Sequence, residues 1–356
     1  MMSDAADVSL EVRAARADKY WTERLGALIV VAVVAGGLLG CSHQGTCQER
    51  HDPSFNCYAA YYSAIVARAG VPAAFTDLKA HYRTDPRVQV LCHAITHHIG
   101  QAAFQKYSGI PEAFAHGDDF CASGYYHGVL QGFTAGAGRA SLLANLDSAC
   151  AAVPGKERHS LAYYNCVHGL GHGIMAMRDD SLFAALKDCD GLTGTVEQEA
   201  CDNGVFMENL IVDGEHGGHF SRYLKPEDPL YPCSAVEARY KVSCFENQTS
   251  YALGATGGDF RKVFALCAEV EAPFRTTCYQ SVGRDAAAVS LNRVPGTVAT
   301  CNLGAGPEQR SNCVKGAVLD FLYFYHSDAQ ALELCSALEA GLARDCRSAL
   351  ATFRRF

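Results

Sequence analysis

From residue 180 onward the apolar positions recur at intervals of three and four, in short segments that come in pairs. The segment "DSLFAALKDC" opens at Asp180 on a capping residue and runs straight into such a pattern. "FRKVFALCAEVEAPFRTTCYQSVGRDAAAVSL" carries two helical segments, divided near Pro273, and "DAQALELCSALEAGLARDCRSALATF" carries a terminal pair. "DGLTG" and "VPGT" supply the joints. No stretch alternates with a period of two for long enough to predict a sheet.

Cysteines mark the repeat. Cys189 and Cys201, Cys233 and Cys244, Cys267 and Cys278, Cys301 and Cys313, and Cys335 and Cys346 stand 11 or 12 residues apart. Cys150 and Cys166 form a looser sixth pair, and Cys47 and Cys57 fit as a seventh. Beginning at Cys166, the second cysteines recur every 33 to 43 residues, the period of a helix-hairpin repeat. A single hairpin cannot bury its own apolar stripe, so the units stack. The predicted fold is all-α: disulfide-stapled helix-hairpin repeats in an α-solenoid or an α/α toroid. Each staple would join the end of the first helix of a unit to the second. Cys92 and Cys121 lack such partners; they are expected to bond each other, with thiolate ligation beside the neighbouring histidines as the alternative.

The first forty residues read differently. Leu25–Gly40 is an apolar run of sixteen, preceded by Arg13, Arg16, Lys19 and Arg24 and followed by no Lys or Arg until Arg50. This asymmetry leaves the N-terminus in the cytoplasm and the remainder outside. The run ends "LLGC", which resembles a bacterial lipobox and marks Cys41 as the lipidated residue; an uncleaved signal-anchor is the alternative. With Cys41 lipidated, sixteen of seventeen cysteines remain, an even number suited to an oxidising compartment. The expected division is residues 1–40 as signal or anchor, 41–85 as linker and first helical unit, and 86–356 as the repeat domain. A net charge of −8 gives no basic surface for nucleic acid.

Histidine distribution points to chemistry. Five of fourteen histidines precede a glycine, where glycine's share of the chain would give about one. In "CVHGLGHGIMA", His168 and His172 lie four residues apart amid three glycines, which leave room for another backbone or a ligand. Counted from the second cysteine of each unit, offsets +2 and +6 project on the face turned away from the disulfide, at roughly 200° and 240°. Those offsets select His98 from Cys92, His127 from Cys121, and His168 and His172 from Cys166. His93 and His97 form a second i, i+4 pair on an adjacent face.

The same slots downstream hold Asn203, Glu246, Gln280 and Arg284, which predicts a polar groove, histidine-rich at one end. Imidazoles so placed suit zinc, copper or iron. His98, His127, His168 and His172 are the expected ligands; His97, His93 and Glu208 are further candidates, and Asp118, Asp119, His216 and His219 could complete a shell. The chain lacks HExxH, a nucleophile elbow and a P-loop. Two functions follow: a membrane-anchored cell-envelope metalloprotein, with catalysis left open, or a non-catalytic module that holds a peptide, glycan or protein on its concave face.

Overall fold

The computed structural model describes residues 46–353, apart from 48, 53, 108, 122, 138, 216–220 and 326. Cys41 and the apolar run before it lie outside the described residues, as do His216 and His219. Residues 45–356 form one unit, whose described part holds seventeen α-helices and no strand. In chain order they are α1 (Phe55–Ala69), α2 (Val71–Tyr82), α3 (Pro86–Lys106), α4 (Ile110–Ala115), α5 (Gly124–Gly136) and α6 (Arg139–Leu143). Next come α7 (Leu146–Ala149), α8 (Leu161–Met177), α9 (Leu182–Cys189), α10 (Thr195–Glu215), α11 (Lys241–Ala255) and α12 (Phe260–Ala268). The last are α13 (Ala272–Val289), α14 (Val294–Cys301), α15 (Pro307–Tyr325), α16 (Asp328–Ser336) and α17 (Ala340–Phe353).

The long helices α3, α5, α8, α10, α11, α13 and α15 pack side by side in chain order and form an inner layer. Short helices cover its outside, and α12 shows why. Asp259 caps it by accepting from the Arg261 N–H, and Phe260, Val263, Phe264 and Cys267 are buried at positions i, i+3, i+4 and i+7. Leu182, Ala185, Leu186 and Cys189 repeat that pattern in α9, whose cap is Ser181 rather than Asp180. The cysteine is the last residue of each apolar stripe. The face that buries the outer helix therefore also delivers its sulfur to the inner helix.

Eight disulfides close, including all six expected hairpin staples from Cys150–Cys166 to Cys335–Cys346. Cys47–Cys57 and Cys92–Cys121 complete the set. Cα separations run from 5.4 to 6.0 Å, as a disulfide requires. A clasp across a loop this short stabilises by roughly 3 kcal/mol in the chain-entropy model.

The inner layer closes on itself. Tyr323, on α15, places its hydroxyl 2.9 Å from Ser123 Oγ and 3.1 Å from Asn165 Oδ1 on α8, across 200 and 158 residues of sequence. Closure favours the toroid form of the fold over an open solenoid. The inner helices enclose a cavity of about 280 Å³, lined in part by Asn203, Glu246, Gln280 and Arg284, the four residues assigned from sequence to a groove.

The glycines are explained by how close the inner helices come. A Cβ on Gly128 would lie 1.9 Å from the His97 carbonyl oxygen, and one on Gly171 would lie 2.1 Å from that of Cys201. The room around "HGLGHG" thus admits a neighbouring backbone; of the two occupants considered from sequence, the structure selects that one.

Inside this packing one carboxyl carries a measurable cost. Asp202 on α10 is 2% exposed and its Oδ1 has no hydrogen-bond partner. Burial pushes its pKa up to about 8, with Arg239 opposing and Asp190 and Glu199 reinforcing the shift. A carboxyl raised above its unfolded value of about 3.9 stays protonated in the folded chain while the unfolded chain ionises. The associated stability is present below about pH 4 and is lost as pH rises toward 8. Asp202→Asn removes the titration and keeps the shape. Urea denaturation should show the variant gaining stability over wild type near pH 8 and almost nothing near pH 4.

Candidate metal centre

Four adjacent inner helices build the centre. Asp85 fixes the start of α3 by accepting from the Arg87 and Val88 N–H groups, ahead of Pro86 in the first turn. Ser160 fixes α8 by accepting from Tyr163 N–H. On each helix an i, i+4 histidine pair then shares a face. His93 and His97 come from α3, His168 and His172 from α8, and His127 stands between them on α5. The His127 ring lies 5.4 Å from both His93 and His97, 4.5 Å from His168, and 4.7 Å from His172, on which it stacks. Glu208 comes from α10, 1% exposed.

These six residues form three overlapping triads: His93–His97–His127, His127–His168–His172 and His97–His172–Glu208. Within each, one ligating atom per residue lies within 4.8 Å of the others. The Nε2 atoms of His93 and His97 are 3.0 Å apart, and those of His168 and His172 are 3.1 Å apart. Nitrogens bound to one tetrahedral zinc at ~2.0–2.1 Å stand about 3.3 Å from each other, so both pairs are near chelating separation before any ion is added.

The outer hydrogen bonds set the tautomers. His93 Nδ1 faces the Cys121 carbonyl oxygen at 2.9 Å, an atom that can only accept. His97 Nδ1 faces Gln131 Oε1 at 3.1 Å. The Gln131 amide is oriented by the other end of its network, since its Nε2 donates to Glu208 Oε2 at 3.1 Å and its Oε1 accepts from Gln101 Nε2 at 2.8 Å. His172 Nδ1 donates to the same Glu208 oxygen at 2.6 Å. All three rings therefore carry their proton on Nδ1 and present an Nε2 lone pair inward. For His93 and His97 this leaves two lone pairs facing each other at 3.0 Å. No arrangement of neutral tautomers that keeps the outer bonds relieves that opposition, whereas a cation between them does.

Electrostatics keep the rings in the ligating form. Burial holds His97, His127, His168 and His172 well below the usual histidine range, and neighbouring imidazoles push in the same direction. His93 is also lowered, mainly by burial, against the opposing effects of the Cys121 carbonyl and Glu208. His127 Nδ1 and His168 Nδ1 are buried and find no hydrogen-bond partner among the described residues. Buried polar atoms without partners are uncommon, and here two of them fall within one cluster.

No family model, curated protein or solved structure matches this chain. The reading of the site therefore rests on its geometry.

Most of the residues picked from sequence converge here, with one displaced by a single position. His127, His168 and His172 join the cluster, together with His93, His97 and Glu208, which the sequence offered only as further candidates. His98 does not; its ring packs edge-on against Phe55, with centroids 5.2 Å apart. Consecutive helical residues point ~100° apart, so His97 and His98 cannot both face α5. The offset failed for Cys92 alone: it lies in α3 but bonds forward to Cys121 in the turn before α5, so it is not the second cysteine of a hairpin staple. Asp118 is engaged elsewhere, accepting from Lys79 Nζ at 2.5 Å. Gln131 was missed altogether. Its own sequence neighbourhood carries no signal, because its role comes from reaching Glu208 across 77 residues.

Proposed function

We propose that this protein is an extracytoplasmic, membrane-anchored metalloprotein whose His93–His97–His127–His168–His172–Glu208 cluster binds a transition metal. The observation that carries the reading is the approach of His93 Nε2 and His97 Nε2 to 3.0 Å with the outer nitrogens of both rings hydrogen-bonded. Fixing a ligand's far nitrogen to a carbonyl or carboxylate is the usual way to orient a metal-binding imidazole. Five imidazoles, with Glu208 holding His172 from its outer nitrogen, suit zinc, copper or iron, and neutral rings need not lose a proton to bind. His127 and His168 also line the inner cavity, which gives a small molecule a route to the metal. Sites that act on substrates keep such an opening, and purely structural ones are closed. A scaffold that merely holds a partner on its inner face has no use for five buried imidazoles.

The test is titration of chelator-stripped protein with Zn(II), Cu(II) and Fe(II), followed calorimetrically and by thermal melting. Binding of at least one equivalent with a rise in Tm is expected, because an ion bound only by the folded state stabilises it by mass action. No ion bound beyond surface-level affinity would leave the binding-module reading in front.

Eight disulfides suit an oxidising compartment outside the cytoplasm. Among the described residues no helix is long and apolar enough to cross a membrane. Lipidation at Cys41 supplies the anchor in this account. Cys41→Ser should then accumulate as unprocessed precursor on gels, and normal processing of that variant would count against a lipid anchor.

A further inference from the structure

The cavity has a second wall that the metal cluster does not use. Arg284 lies there, already committed: its guanidinium donates to Asp285 Oδ1 at 2.6 Å and to Ser250 Oγ at 2.7 Å, and also reaches the Glu246 carbonyl. Asp285 is buried and receives a further hydrogen bond from Thr249 at 2.6 Å. The Arg284–Asp285 pair is thus neutral as a unit. Two carboxylates on the same wall remain, Glu246 and Asp320.

Their partners are neutral amides. Asn203 Nδ2 donates to Glu246 at 2.6 Å, and Asn292 Nδ2 donates to Asp320 at 2.7 Å. Among the described residues lining the cavity, Arg284 is the one Lys or Arg side chain. Burial raises the pKa of both carboxyls, Asp320 to about 6, although Arg284 opposes the shift in each. This is a wall that a positive charge would stabilise. Met207, Leu319 and Phe353 supply apolar surface, and His127 and His168, with their unpartnered Nδ1 atoms, stand on the side of the metal cluster. A volume of about 280 Å³ is at the lower edge of small-molecule sites.

We propose that this cavity binds a small primary amine with a compact apolar body, its ammonium held by Glu246 and Asp320 and its body along Met207, Leu319 and Phe353. The charge and shape arguments rest on the cavity alone. Only the direction of the ligand's far end, toward His127 and His168, rests on the metal reading.

Three matched probes test it by calorimetry: 2-phenylethylamine, 2-phenylethanol and 3-phenylpropionate. On the wild-type protein the amine should bind at least tenfold more tightly than the alcohol, and the carboxylate should bind most weakly. In Glu246→Gln/Asp320→Asn the preference for amine over alcohol should fall to about twofold or less. Glu246→Gln alone should lower it in part, which provides a second readout should the double variant fold poorly. The same preference is expected on chelator-treated protein, so absence of metal binding would count against the metal reading and leave this result in place. Equal binding of amine and alcohol, tighter binding of the carboxylate, no binding of any probe, or a preference unchanged in both variants would overturn the proposal.

Discussion

His97→Phe is expected to lower metal affinity by more than the ~10–100-fold typical of changes in a ligand's outer contacts, in a metal-free protein that stays folded. His97 Nε2 meets His93 Nε2 at 3.0 Å, with the outer nitrogen of each ring hydrogen-bonded. Phenylalanine keeps a planar ring in a site that is 0% exposed and puts a C–H edge where one lone pair stood. The metal-free fold loses the opposition between the two nitrogens together with one hydrogen bond to Gln131, whose Oε1 still accepts from Gln101. Phenylalanine is the larger ring, and overpacking of a buried site costs about 1–3 kcal/mol, which relief of the opposition offsets in part. A purely structural histidine would behave in the opposite way, with stability falling and metal content unaffected. Calorimetric titration and urea denaturation of the stripped protein separate the two outcomes.

Gly128→Ala is expected to be among the most damaging single-methyl changes in the inner layer, and Gly254→Ala to be harmless or mildly stabilising. Both glycines are helical, in α5 and α11, and on helix propensity alone each alanine should gain about 1 kcal/mol. Gly254 has nothing within 4 Å of the added carbon, so that gain should appear. The added carbon on Gly128 meets the His97 carbonyl oxygen at 1.9 Å and the His97 Cα at 2.7 Å. These are backbone atoms of α3 and cannot rotate away, so α3 and α5 must separate. Overpacking of this kind costs about 1–3 kcal/mol or more. It also carries His127 away from His93 and His97, and metal affinity should fall with stability. Thermal melts of both variants, with and without metal, check the pair; equal effects at the two positions would refute the account of the inner-layer packing.

The contrast between these glycines also shows what could be read in the sequence. The outer helices and their staples were legible because one residue type, cysteine, closes each apolar stripe, as Cys267 does after Phe260, Val263 and Phe264. The register of the inner helices was less so. Cys166 sits in α8 and staples a hairpin, whereas Cys92 reaches forward to the turn before α5, so counting from both as equivalents shifted the α3 histidines by one residue. The close approaches supply a better ruler. Gly100 meets the Tyr125 carbonyl as Gly171 meets that of Cys201, and three residues before each stands a ligand candidate, His97 and His168. Gly283 meets the Cys313 carbonyl in the same way, with Gln280 three residues before it. The spacing His-x-x-Gly, rather than the distance from a cysteine, carries the register, since it is the glycine that sets where two inner helices touch. Closure of the ring by Tyr323, Ser123 and Asn165 had no such signal, because three ordinary polar residues meet only once the whole arc has formed.

X-ray absorption at the metal edge, on protein purified without added metal, tests the central claim most directly. The account predicts a stoichiometric first-row metal with a nitrogen-rich inner shell, at about 2.0–2.1 Å if the ion is zinc, carrying the multiple-scattering signature of several imidazoles. That signature should weaken in His97→Phe and in His172→Phe. Protein that stays metal-free on purification and on reconstitution, or a bound metal whose shell is unchanged in both variants, would contradict it.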